Sequence, residues 1–105
     1  MYFSPITKTI TKIPSTSTYE VFDKRGYIEY IGSLSTSHYA NGHGTEYYKS
    51  GYKQDRRPYK KGIYSEGHLS GPNCSEFSYD SALIYSGSYL NGLRHGEGIS
   101  YNQNG

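Results

Sequence analysis

The chain has 105 residues, a net charge of +2 and one cysteine, and no apolar run near the roughly 18 residues that a membrane-spanning helix requires. Leu, Ile, Val and Phe supply only 17 residues, against 14 Tyr and 13 Gly. These numbers exclude an internal disulfide, a second domain and a thick aliphatic core, and they leave one thin domain whose burial comes from tyrosine rings at roughly 150–250 Å² each.

The N-terminal segment, residues 1–18, is rich in Ser and Thr. Ile6, Ile10 and Ile13 lie among Lys and Thr between the breakers Pro5 and Pro14, which suits an edge strand. No charged n-region precedes an apolar h-region, and Cys74 has no partner, so the expected setting is cytoplasmic. Pro14 to Thr18 is expected to be a loop. Thr18 to Phe22 alternates as a strand does, Lys24-Arg25-Gly26 supplies a turn, and Tyr27 to Leu34 returns as a second strand.

From Tyr30 onward a Tyr/Gly pattern recurs. Its clearest copy runs Tyr85-Ser-Gly87-Ser-Tyr89-Leu-Asn91-Gly92-Leu-Arg-His95-Gly96-Glu-Gly98, closing on Tyr101. Asn91-Gly92 between alternating segments is the strongest turn signal, because both central positions of a type I′ turn need positive φ. A second copy spans Tyr59 to Tyr79, with Gly62, Tyr64, Gly67 and Gly71, and Asn73 where the last Gly is expected. A third spans Tyr30 to Gly51, with Gly32, Leu34, Asn41, Gly42 and Gly44. The anchoring glycines Gly32, Gly62 and Gly87 are 30 and 25 residues apart, and Tyr52 to Pro58 is an insertion. No window carries a helical period, and Gly recurs too often for helices, at roughly 1 kcal/mol each relative to Ala. Rings lying over bare glycine backbone make strands of the same residues. The expected fold is all-β: an elongated antiparallel β-hairpin meander, a single-layer twisted sheet, with the repeats over 19–105.

Tyr85, Gly87, Tyr89, Asn91, Gly92, His95, Gly96 and Gly98 resemble the MORN (membrane occupation and recognition nexus) repeat. The segment Gly42-His-Gly44-Thr-Glu-Tyr-Tyr48-Lys-Ser-Gly51 is similar to bacterial MORN-variant repeats, some of which belong to toxin–antitoxin-associated proteins. The resemblance covers about residues 27–105. It implies a one-layer sheet of stacked hairpins and a role in protein contact, sometimes in phosphoinositide contact.

The chemistry-bearing residues form no enzyme-like constellation. Four histidines (His38, His43, His68 and His95) lack metal-site spacing, and His43 and His95 fall inside Gly-rich elements of the repeat. Glu29, Glu46, Glu66, Glu76 and Glu97 recur about once per element, as solvated residues on one face do. Neither a Gly-x-Ser-x-Gly nor a phosphate loop is present. Neither a cofactor nor a metal is expected, and the chain is expected to be non-enzymatic. Charge is uneven: residues 1–61 carry a net +5 and residues 62–105 a net −3. The loop Lys53-Gln-Asp55-Arg56-Arg57-Pro-Tyr59-Lys60-Lys61 concentrates it.

A one-layer sheet cannot bury both faces, so part of the tyrosine set is expected to contact a partner. The expected partner-binding residues are Tyr59, Tyr64, Tyr85, Tyr89 and Tyr101, with Lys53, Arg56, Arg57, Lys60 and Lys61 from the basic loop. The expected function is a protein–protein binding module: a small inhibitor, antitoxin-like factor or adaptor. The alternative is a membrane-surface module that reads anionic lipid through the 53–61 loop. Nucleic acid ranks below both, since specific binding wants a broader basic face. An open sheet edge also raises the expectation of a homodimer.

Overall fold

The computed structural model describes residues 1–49, 52 and 55–101, and every regular element among them is a strand. The strands are β1 (Thr9–Lys12), β2 (Tyr19–Phe22), β3 (Ile28–Leu34), β4 (Ala40–Tyr48), β5 (Arg57–Ser65), β6 (His68–Leu69), β7 (Gly71–Phe77), β8 (Leu83–Leu90) and β9 (Leu93–Ser100). All pair antiparallel in one sheet, in the order β1-β2-β3-β4-β5-β7-β8-β9, with β6 beside β5. The sheet does not close, and β1 and β9 are its edges. The expected single-layer hairpin meander is what the chain forms, over extents of 41 × 29 × 24 Å.

The turns follow their residues. Asn91 and Gly92 take φ of 52° and 83°, the two positive values of a type I′ turn. Glu66-Gly67 turns the β5–β6 corner in the same way, at 48° and 90°. At the β2–β3 turn Asp23 acts as an internal template. Its Oδ1 accepts from the amides of Arg25 (2.9 Å) and Tyr27 (3.0 Å), and Lys49 Nζ lies 3.2 Å from its Oδ2. The strand expected over Ile6–Ile13 is shorter, and the Pro5 side forms a turn in which the Lys8 amide donates to Ser4 O at 2.9 Å.

The register explains the glycines. Across the sheet Gly32 faces Gly44, Gly44 faces Gly62, Cys74 faces Gly87, and Gly87 faces Gly98. The ring of Tyr30 lies over the Gly32–Gly44 pair, and the ring of Tyr85 over Gly87–Gly98. A Cβ at Gly32 would stand 2.5 Å from Tyr30 Oη, Gly44 Cα and His43 O alike. Each ring also ends in a hydrogen bond of the same form: Tyr30 Oη donates to Ser33 O at 2.8 Å, and Tyr85 Oη to Ser88 O at 3.0 Å. A phenol three residues from its acceptor, stretched along its own strand, thus caps bare backbone on its neighbour.

The core occupies one face only. It consists of Val21, Tyr30, Ala40, Tyr64, Leu69, Cys74, Tyr85 and Tyr89, closed over by Phe3, whose ring centroid is 5.4 Å from that of Tyr30. Phe3 is held there by its amide, which donates to His38 O at 2.9 Å. Tyr30 meets Tyr64 edge-on at 5.4 Å, and Tyr85 meets Tyr89 edge-on at 5.6 Å, the offset geometry that ring quadrupoles favour. Cys74 lies inside β7 and is buried. It takes the place that glycine holds elsewhere in the row, its Sγ against Gly62.

Candidate functional site

The three hairpins share a register pattern, and consecutive units are joined through it. Two residues after the anchoring glycine come Leu34, Tyr64 and Tyr89. Opposite these lie Ala40, Leu69 and Arg94. Two residues after the second-strand Gly44, Cys74 and Gly98 come Glu46, Glu76 and Ser100. At the β4/β5 seam Tyr64 Oη donates to Glu46 Oε1 at 2.7 Å. At the β7/β8 seam Tyr89 Oη donates to Glu76 Oε1 in the same way. Each incoming tyrosine therefore reaches across the glycine row to a carboxylate on the preceding unit. Glu46 and Glu76, expected among the solvated residues, are instead half-buried acceptors of these seams. Sequence reasoning missed them because the Glu-at-plus-two pattern becomes legible only once Cys74 is aligned with glycine.

The last unit breaks the pattern at both positions. Where the inner units put Ala40 and Leu69, both buried, β9 puts Arg94. Its guanidinium sits 4.5 Å over the Tyr85 ring and 3.2 Å from Glu76 Oε2. Where the inner units put a glutamate acceptor, β9 puts Ser100. The guanidinium thus covers the Tyr85 ring that a further tyrosine would meet edge-on, as Tyr64 meets Tyr30. Burial works against the charge on Glu76, but the hydrogen bonds from Tyr89 and Arg94 and the nearby Lys60 outweigh it, holding the carboxyl below the usual range. Burial pushes the phenols of Tyr64, Tyr30 and Tyr89 far above theirs, with Glu46 adding to the effect at the first two and Glu76 at the third.

The expected partner-binding residues are dispersed by this geometry. Tyr64, Tyr85 and Tyr89 are 1%, 5% and 4% exposed, so these rings fill the core and are not offered to a partner. Tyr59 is half-buried, its ring 4.7 Å from that of Tyr48. Tyr101 is exposed beside β9, its amide donating to Ile84 O at 2.8 Å. The basic stretch is no single loop, because β5 begins at Arg57. Arg56 pairs with Glu20 at 3.1 Å, and Arg57 pairs with Asp55 at 2.9 Å and lies 4.5 Å over the Tyr79 ring. Lys60 lies on the core face over the rings of Tyr59 and Tyr89, in register between Glu46 and Glu76. Lys61, its neighbour in a strand, points to the opposite face. Lys53 lies outside the described residues.

What the structure does offer is β9. All eight of its residues are exposed, Leu93 at 73% and Ile99 at 59%. Leu90 faces Leu93 across the hairpin, and Tyr101 follows the strand. One side of β9 pairs with β8 and the other is free among the described residues. Among those residues no three metal-ligating side chains converge, and no helix is long and apolar enough to cross a membrane. No family model, no curated protein and no solved structure matches the chain.

Proposed function

We propose that this chain is a non-catalytic protein-binding module, a MORN-like hairpin array that takes an extended segment of a partner protein along β9. The observation that carries the reading is the exposure of β9 from end to end. A strand of this kind presents main-chain donors and acceptors for an added strand, and Leu93, Ile99 and Tyr101 supply side-chain contacts. The partner is a different protein and not a further unit of the same array, because Arg94 and Ser100 replace the apolar residue and the carboxylate that join units elsewhere. A charged residue at an edge is also a common device against self-addition. The single buried thiol suits a cytoplasmic setting. The lipid reading draws less support, since Arg56 and Arg57 are each matched by a carboxylate.

The test is affinity purification from cells with the wild-type chain and with Leu93→Lys/Ile99→Lys, alongside an outer-face control, Thr45→Lys. One protein retained by wild type and control, and lost by the double variant, supports the reading. Equal retention by all three overturns it, and so does flotation of the chain on anionic vesicles at physiological salt. A concentration-dependent dimer in light scattering that the double variant abolishes would assign β9 to a second copy instead.

A further inference from the structure

The face of the sheet opposite the core carries a trough of about 400 Å³, independent of β9. Its long wall is one in-register row, Ile31–Thr45–Lys61–Ser75, drawn from β3, β4, β5 and β7. The backbone of Gly32, Gly44 and Gly62 forms the floor, and His43, Asn73, Thr18 and Phe77 complete the lining. Hydroxyl and amide groups therefore alternate with two apolar flanks, Ile31 and Phe77.

The electrostatics of the trough are one-sided. Lys61 and His43 are its titratable residues, and no carboxylate lines it. Five cations elsewhere are matched, Lys8 with Glu29, Lys49 with Asp23, Arg56 with Glu20, Arg57 with Asp55 and Arg94 with Glu76, while Lys12 on β1 and Lys24 and Arg25 in the β2–β3 turn lie away from the trough. Lys60 lies over two rings. Lys61 is in no ion pair among the described residues, although it is flanked in register by Thr45 and Ser75 and lies diagonal to His43. A cation left without a carboxylate beside a polar, open floor favours an anion. The volume lies in the range of small-ligand sites.

We propose that the trough binds a phosphorylated sugar. The phosphate sits between Lys61 and His43 above Gly44 and Gly62, the sugar hydroxyls meet Thr45, Ser75 and Asn73, and the ring's apolar edge rests against Ile31 or Phe77. Binding is a matter of recognition alone, with no bond made or broken.

The experiment is a titration followed by backbone amide NMR shifts, using glucose 6-phosphate, glucose and inorganic phosphate at physiological salt. The expected result is saturable movement of the Gly44, Gly62, Asn73 and Ser75 amides by glucose 6-phosphate, with a dissociation constant near 1 mM or tighter. Glucose and inorganic phosphate should each bind at least about tenfold more weakly, and Lys61→Gln should cost about tenfold or more. Lys12→Gln, an equal change of net charge on exposed β1, should leave binding unaltered. Three results would overturn the assignment: no saturable movement of those amides, inorganic phosphate binding as tightly as the sugar phosphate, or equal weakening by Lys12→Gln and Lys61→Gln.

Discussion

Raising the pH above 10 should unfold this domain steeply, and the slope follows from three phenols. Tyr30, Tyr64 and Tyr89 are each at most 4% exposed, and all three are held above the ordinary phenol range, first by burial and then by the adjacent glutamates. In the unfolded chain they ionise near 10. A group whose folded pKa is raised contributes stability that is complete below the unfolded pKa and is lost as pH rises towards the folded one. Between those limits the unfolded state binds three fewer protons than the native state at these phenols alone, so stability falls by about 1.4 kcal/mol per phenol per pH unit, or about 4 kcal/mol for the three. A domain of this size has about 5–15 kcal/mol to lose. The transition should therefore begin within roughly one to two units above pH 10 for a domain at the lower end of that range. Phenolate absorbance and far-ultraviolet circular dichroism, followed together, provide the assay: a cooperative step in absorbance should coincide with loss of the β signal. Urea midpoints at stepped pH give the slope, which should drop by about 1.4 kcal/mol per pH unit in Tyr64→Phe. A smooth titration of every phenol while the sheet stays intact would refute the burial argument.

Further substitutions probe the seams and the edge. Tyr64→Phe leaves the half-buried Glu46 carboxylate without its phenol donor and should cost about 1–3 kcal/mol in urea unfolding. Tyr89→Phe should cost less, because Glu76 keeps Arg94, whose Nε lies 3.2 Å from its Oε1; equal losses would remove the distinction between the two seams. Gly32→Ala drives a methyl into Tyr30 Oη and into backbone on β4, neither of which can swing away. It should destabilise the domain by at least about 1–3 kcal/mol, read as a shifted denaturation midpoint. Arg94→Leu with Ser100→Glu restores the inner-unit pattern at the last hairpin and should promote self-association, measured as a rise in mass over wild type by light scattering; an unchanged mass would show that these two residues do not guard the edge. Acidification should weaken the fold below about pH 4.5, since Asp23 and Glu76 are both held below their ordinary range and the stability that this contributes is lost as pH falls through their folded values. A stability flat from pH 6 to 3 would contradict it.

Most of the architecture was legible in the residues. The type I′ signal of Asn91-Gly92, the alternation of Thr18–Phe22 and the recurrence of Gly32, Gly62 and Gly87 suffice for an all-β meander, because each is a local backbone requirement that the neighbouring residues already meet. The pairing of rings with glycines was also accessible, since a bare backbone needs a cover and tyrosine is the only abundant large side chain. The identity of the exposed surface was not. Tyr64, Tyr85 and Tyr89 look like contact residues until register shows that all three share one face with Val21 and Leu69. Lys60 and Lys61 look like one patch until the alternation of β5 sends them to opposite faces. Which glutamates are structural, which cation lies in the trough, and why the last hairpin ends in Arg94 where its forerunners have Ala40 and Leu69 depend on contacts between different strands. The chain by itself determines which backbone shapes are permitted; only the assembled sheet decides which side chains remain for anything else to touch.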